Sequence, residues 1–199
     1  MALNPSVDSP LFGVVSRLSS QKGLDLLLAA LPMILSSGGQ VALLGSGEKA
    51  LEDGFAAAAR ANPGTVGCVF AYDEEISHLI QGGSDFILVP SRFEPCGLTQ
   101  LYALRYGATP IVARVGGLAD TIIDANEAAL SAGVATGIQF YPPSLDQFRD
   151  ALRRGFEFHR NIETMRRLRL NGMRADVSWR GPAKRYAALY REIAPAAGV

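Results

Sequence analysis

Short apolar runs rich in β-branched residues alternate with helical patterns along most of this chain, and that rhythm leaves few architectures open. Leu11 to Ser16 is followed by helical spacing from Gly23 to Ser36, Gln40 to Leu44 by Lys49 to Ala61, and Val66 to Phe70 by an amphipathic stretch from Glu74 to Gln81. Phe86 to Val89 then precedes Leu98 to Tyr106, and Thr109 to Ala113 precedes Leu118 to Ile123. Strands that are apolar nearly throughout have no face for water, so they belong in a parallel sheet covered by helices on both sides. The expected fold is α/β, a doubly wound parallel sheet. From Leu145 to Arg191 the spacing is helical without strands, as at Phe148, Leu152 and Phe156 and again at Tyr186, Leu189, Tyr190 and Ile193. A single domain is expected, with a leader over 1–10, the sheet-containing core over 11–143 and a helical tail over 144–199.

Charge narrows the partners. Lys and Arg number 19 against 19 Asp and Glu, so no broad positive field draws nucleic acid or an anionic membrane, and any bound anion must be held locally. The longest apolar stretch, Leu24 to Leu35, contains Asp25 and Pro32 and falls short of the ~20 residues that span a bilayer; it reads as a packed helix. Met1 leads into Ala-Leu-Asn-Pro without a basic or apolar signal region, which predicts a cytoplasmic protein. Cys68 and Cys96 show neither metal-ligand spacing nor a disulfide framework and are expected as reduced thiols, with no metal and no cofactor.

In a doubly wound sheet, ligands bind beyond the carboxyl ends of the strands, where the strand order reverses. The first strand runs into Arg17-Leu18-Ser19-Ser20-Gln21-Lys22-Gly23, placing two cations at a helix start that is already electropositive. A diphosphate would offset that charge; pairing with Asp25 or Glu48 would do so equally well, and the segment alone leaves both readings open. The fourth strand ends in Pro90-Ser91-Arg92-Phe93-Glu94-Pro95-Cys96-Gly97-Leu98-Thr99-Gln100, with a helix expected to begin near Gly97. Pro95 biases Glu94 toward an extended backbone, and the N–H groups of Gly97, Leu98 and Thr99 would point at an anion along the helix axis. Glu94 is therefore placed either on the hydroxyls of a phosphorylated sugar or in an ion pair with Arg92 or Arg17.

The run PSRFEPCGLTQLYALRY, Pro90 to Tyr106, closely resembles the signature of bacterial glycogen synthases and plant starch synthases. Val15-Ser16-Arg17-Leu18 through Gln21-Lys22-Gly23-Leu24-Asp25, Val115-Gly116-Gly117-Leu118-Ala119-Asp120-Thr121 and Asp176-Val177-Ser178-Trp179 match in the same order, so the resemblance covers Leu11 to Ile193. It implies the C-terminal half of a GT-B glycosyltransferase, one of two Rossmann-like halves facing a cleft. By this similarity the chain is expected to bind ADP-glucose or ADP. Arg17 and Lys22 would hold the diphosphate, and Gly97, Leu98 and Thr99 would give it backbone donors, with Cys96 in the same turn. Glu94 would hold the transferred glucose, and Tyr72 would stack on adenine. Catalytic roles are implied for Glu94, Arg17 and Lys22 in a retaining transfer of glucose to the non-reducing end of an α-1,4-glucan. Related retaining transferases carry a second glutamate eight positions after the first; Tyr102 stands there in this chain, as in the glycogen synthase branch.

The family's N-terminal Lys-Thr-Gly-Gly-Leu motif, its glucose-site histidine and much of its acceptor groove are not found in the sequence. The expectation is that the catalytic N-terminal half is absent, that this chain alone has no substantial glucosyltransferase activity, and that a glucan acceptor is engaged only together with that half. A non-catalytic fragment or fusion scaffold is the alternative. Gly45-Ser46-Gly47-Glu48 lacks a downstream Gly-Lys-Ser/Thr and reads as a strand-to-helix turn, and Gly116-Gly117 fits either a tight turn or a close approach to ligand. His78 and His159 read as solvated or packing residues, and Arg153-Arg154 with Arg166-Arg167-Arg169 as solvated helix faces. The apolar face around Tyr186 and Tyr190 is expected to swing free, pair with another copy or cover the chain's own core.

Overall fold

A computed structural model describes residues 3–6 and 8–194. Its six strands, β1 (Leu11–Val15), β2 (Gln40–Leu44), β3 (Val66–Val69), β4 (Phe86–Val89), β5 (Thr109–Ala113) and β6 (Ile138–Phe140), form one sheet in the order β3-β2-β1-β4-β5-β6. Every pairing is parallel. The connecting helices are α1 (Leu24–Ser36), α2 (Lys49–Ala61), α3 (Glu74–Gly83), α4 (Thr99–Tyr106), α5 (Gly116–Thr121) and α6 (Glu127–Ala132), followed by α7 (Leu145–Arg160), α8 (Ile162–Arg174) and α9 (Arg180–Ile193).

Both faces of the sheet are dry, which is why its strands read as apolar runs. Phe12, Val14, Val41, Leu43, Phe86, Leu88 and Ile111 alternate onto one face, where α1, α2 and α7 supply Leu27, Phe55 and Phe148. Ala42, Leu44, Ile87, Val89 and Val112 alternate onto the other, against Ile80 of α3, Leu104 of α4 and Leu118 of α5. Phe12 stands at the centre, stacked on Phe86 with ring centroids 5.2 Å apart and tilted against Phe156 at the same separation.

Two elements are absent from the sequence expectation. β6 has three residues with Gln139 in the middle, too short and too polar to read as a strand, and is recruited by pairing with Ile111 to Ala113. Helix α6 is a six-residue turn set by Asn126, whose side chain accepts from Ala129 N at 3.0 Å. Helix α4 starts at Thr99, two residues later than expected, because Gly97 takes a left-handed φ of 75°.

Of the tail arginines, Arg153, Arg166 and Arg167 are exposed as expected, whereas Arg154 and Arg169 are part-buried and fixed. Arg154 donates to Asp124 Oδ1 at 3.1 Å and to Ala125 O at 3.0 Å, and Arg169 to Asp85 Oδ1 at 2.5 Å. Asp85 also accepts from Leu11 N at 2.8 Å and has His159 at 3.8 Å, so this carboxylate ties α7 and α8 to the start of β1. His159 is thus a packing residue. No residue of α9 is buried, so of the three placements expected for its apolar face, covering the chain's own core is not the one observed. Among the described residues no helix is long and apolar enough to cross a membrane.

Candidate functional site

The strand order reverses between β1 and β4, and the two segments that leave those strands meet there. Ser19 caps a single 3-10 turn at Ser20–Lys22, its side chain accepting from Lys22 N. Gly23 then adopts φ 70°, and a Cβ on it would sit 2.0 Å from Pro90 O. Only glycine satisfies both the left-handed conformation and this approach. The contact presses the loop after β1 onto the end of β4.

Lys22 is consequently brought to Glu94, Nζ to Oε2 at 2.5 Å, with side chains 19% and 12% exposed. Ser91 Oγ donates to the same carboxylate oxygen at 3.3 Å. Neither Asp25 nor Glu48 takes Lys22, because each has another role: Asp25 forms a two-point pair with Arg92, and Glu48 accepts from Ser20 N at 2.9 Å. The Arg92 hydrogen bonds hold the Asp25 carboxyl below the ordinary aspartate range. Glu94 likewise pairs with neither Arg92 nor Arg17. Arg17 is exposed and enters no ion pair among the described residues.

The turn that carries Glu94 is held from beneath. Gln100, fully buried, donates through Nε2 to Cys96 O at 3.2 Å, Gly97 O at 2.9 Å and Thr121 Oγ1 at 3.2 Å. From the next loop, Gly117 N donates to Glu94 O at 3.1 Å. A Cβ at Gly117 would lie 2.1 Å from Cys96 O, and one at Gly116 equally near Glu94 O. The glycine pair therefore does make a close approach, but to the backbone of the Glu94 turn. We expect Gly117→Ala to displace that turn at a cost of about 1–3 kcal/mol, read as a lowered Tm together with weaker ligand binding; an unchanged Tm would show that the turn yields freely.

With their carbonyls engaged, Cys96 and Gly97 leave an open helix start: none of the Gly97, Leu98 and Thr99 N–H groups has a partner among the described residues. Ser16, Lys22, Glu94 and Thr99 line one narrow cleft. Beside it opens a cavity of about 390 Å³ lined by Arg17, Ser46, Tyr72, His78, Gln81 and Tyr102, among others. Tyr72, just before Asp73 caps α3, is 94% exposed at the cavity's edge. The Gly45 to Glu48 turn forms a further wall, joined to the first loop by Leu18 N donating to Ser46 O at 2.9 Å. Cys96 is exposed in this region, whereas burial pushes the Cys68 thiol up to about 11.

Two contributors escaped the sequence reading. His78 Nδ1 lies 2.6 Å from the Tyr106 hydroxyl, fixing a ring that walls the cavity. Gln81 is buried with its Nε2 toward Thr99 O at 3.5 Å and its Oε1 unpartnered. A glutamine on an amphipathic helix carries no signal of this in sequence; only the contact between α3 and α4 reveals it. The whole arrangement offers cations and free amides around an anion-sized cleft, one carboxylate beside it, and a cavity with an aromatic edge.

Comparison with known proteins decides which family uses this frame. The sequence profile of the family described as "Glycosyl transferases group 1" matches residues 2–172. The chain belongs to the group 1 glycosyltransferases. It is 58% identical over 191 residues to a glycogen synthase of Rhodopseudomonas palustris, covering 96% of this chain and 40% of that protein. The catalytic domain of starch synthase IV from Arabidopsis thaliana, solved with ADP and acarbose, superposes with a TM-score of 0.86 at 33% identity over 96% of this chain and 40% of that one. The C-terminal domain of a group 1 glycosyltransferase from Francisella tularensis shares the fold, with a TM-score of 0.64 at 18% identity and 82% of each chain covered. These likenesses establish the GT-B glycosyltransferase fold and bear out the resemblance to glycogen synthases. The chain spans about 40% of the length of the curated glycogen synthases it matches.

Proposed function

We propose that this chain is the ADP-glucose-binding, C-terminal part of a retaining glycogen synthase that works in the cytoplasm. The observation that carries this reading is the convergence of Lys22, Glu94 and the open start of α4 at the β1/β4 reversal, next to the Tyr72 cavity. Adenine lies on Tyr72, the ribose beside Tyr102 and Gln81, and the diphosphate against Arg17, Lys22 and the amides of Gly97, Leu98 and Thr99. Cys96 borders the sugar. The relative solved with ADP supports the choice of nucleotide.

The Lys22–Glu94 pair gives the site its working logic. An incoming diphosphate competes for Lys22 and releases Glu94 to accept hydrogen bonds from the glucose hydroxyls. Preplaced cations and amides then stabilise the charge that develops on the departing ADP, which is electrostatic catalysis by fixed donors. The acceptor on this reading is the non-reducing end of an α-1,4-glucan.

Calorimetric titration with ADP and UDP tests the assignment: ADP binds in the micromolar to millimolar range and more tightly than UDP. Tyr72→Ala removes base stacking worth about 1–3 kcal/mol, or roughly five- to 150-fold in affinity for ADP. Equal affinity for both nucleotides, or no effect of the substitution, would remove adenine from Tyr72.

A further inference from the structure

The outer end of the sheet carries a second concavity that nucleotide binding leaves unused. Beyond the carboxyl ends of β5 and β6 lies a groove of about 510 Å³ whose lining includes Arg114, Asp124, Gln139, Tyr141, Gln147 and Arg154. Its floor is rigid. Arg154 is held by Asp124 and by the carbonyl of Ala125, and Gln139 Nε2 donates to Ile122 O at 2.7 Å and Ala119 O at 3.2 Å. Those bonds fix the Gln139 amide with its donor end occupied.

The rim has capacity to spare. Arg114 enters no ion pair among the described residues, Gln147 sits on the first turn of α7, and the ring of Tyr141 is 65% exposed. The lining carries two guanidinium groups and two carboxylates, Arg154 paired with Asp124 and Asp150 with Arg153 beside the groove, so no strong field selects an anion or a cation. Interleaved donors and acceptors next to an exposed aromatic ring suit a neutral polyhydroxyl ligand, because each sugar hydroxyl both donates and accepts and the C–H face of a pyranose packs on a ring.

Position adds the occupant. The groove lies on the same edge of the sheet as Glu94, and β6 is two strands from β4, about 10 Å across the sheet. We propose that this groove holds a stretch of α-1,4-glucan chain, a saccharide site separate from the nucleotide cavity. The choice of an α-glucan rests on the function proposed above; the groove's preference for a neutral saccharide does not. A chain anchored there raises the local concentration of glucan ends at the transfer site.

Maltohexaose added to the isotope-labelled chain is expected to shift the amide resonances of Arg114, Gln139 to Tyr141 and Gln147, with millimolar affinity. Tyr141→Ala and Gln147→Ala should each weaken that binding about fivefold or more, while ADP affinity and the Tm stay as in the unsubstituted chain. Maltohexaose shifts confined to other surfaces, or binding that survives both substitutions together, would overturn the site, and cellohexaose binding as well as maltohexaose would overturn its α-glucan identity. ADP titrated into the same sample separates the two claims. ADP binding without maltohexaose binding removes the groove alone, and maltohexaose binding without ADP binding removes the nucleotide reading and leaves a saccharide groove.

Discussion

Lys22→Ala is expected to weaken ADP binding by about 2–4 kcal/mol, roughly thirty- to a thousandfold in calorimetry. The effect exceeds loss of one cation because Lys22 has two partners. In the free chain it neutralises Glu94, whose side chain is only 12% exposed and whose other polar contact is Ser91. Without Lys22 the diphosphate must approach an unpaired, mostly buried carboxylate. Adding Glu94→Gln to Lys22→Ala removes that repulsion and should recover about half of the lost binding energy, a coupling that a double-mutant cycle measures directly. Additive losses in the double variant would mean that the two residues act separately and that the proposed exchange of partners is wrong.

Phe12→Ala should give the largest stability loss, about 3–5 kcal/mol. Phe12 is fully buried and joins three elements, stacking on Phe86 of β4 and packing on Phe156 of α7 from its own place in β1. Removing it opens a cavity between the two strands whose ends carry Arg17 and Glu94. For a chain of this size each kcal/mol lowers Tm by roughly 2–4 °C, so Tm should drop by about 6–20 °C. A change of only a few degrees would show that neighbouring side chains collapse into the space.

Much of this architecture is legible in the sequence because burial on both faces writes it there. Strands such as Gln40 to Leu44 and Phe86 to Val89 have no water-facing side, so their apolar runs match the structure. β6 is illegible for the opposite reason: Ile138 to Phe140 becomes a strand through its neighbour, not through its own pattern. The site follows the same division. Lys22, Glu94 and the start of α4 could be placed at strand ends from sequence, yet the partner of each charge could not. Sequence neighbours suggested Asp25 for Lys22 and Arg92 for Glu94, whereas folding pairs Asp25 with Arg92 and leaves Lys22 for Glu94. Gln81 and Gln100, both buried polar groups beside the site, are visible only once α3, α4 and α5 are packed.

The central claim is that the β1/β4 reversal is a preformed cradle for a nucleoside diphosphate, and amide chemical-shift mapping during an ADP titration tests it most directly. The account predicts saturable shifts at Gly97, Leu98 and Thr99, at the loop carrying Arg17 and Lys22, and at Tyr72, all following one binding curve. Shifts that leave the start of α4 untouched while mapping to another part of the surface, or no shifts at millimolar ADP, would contradict it.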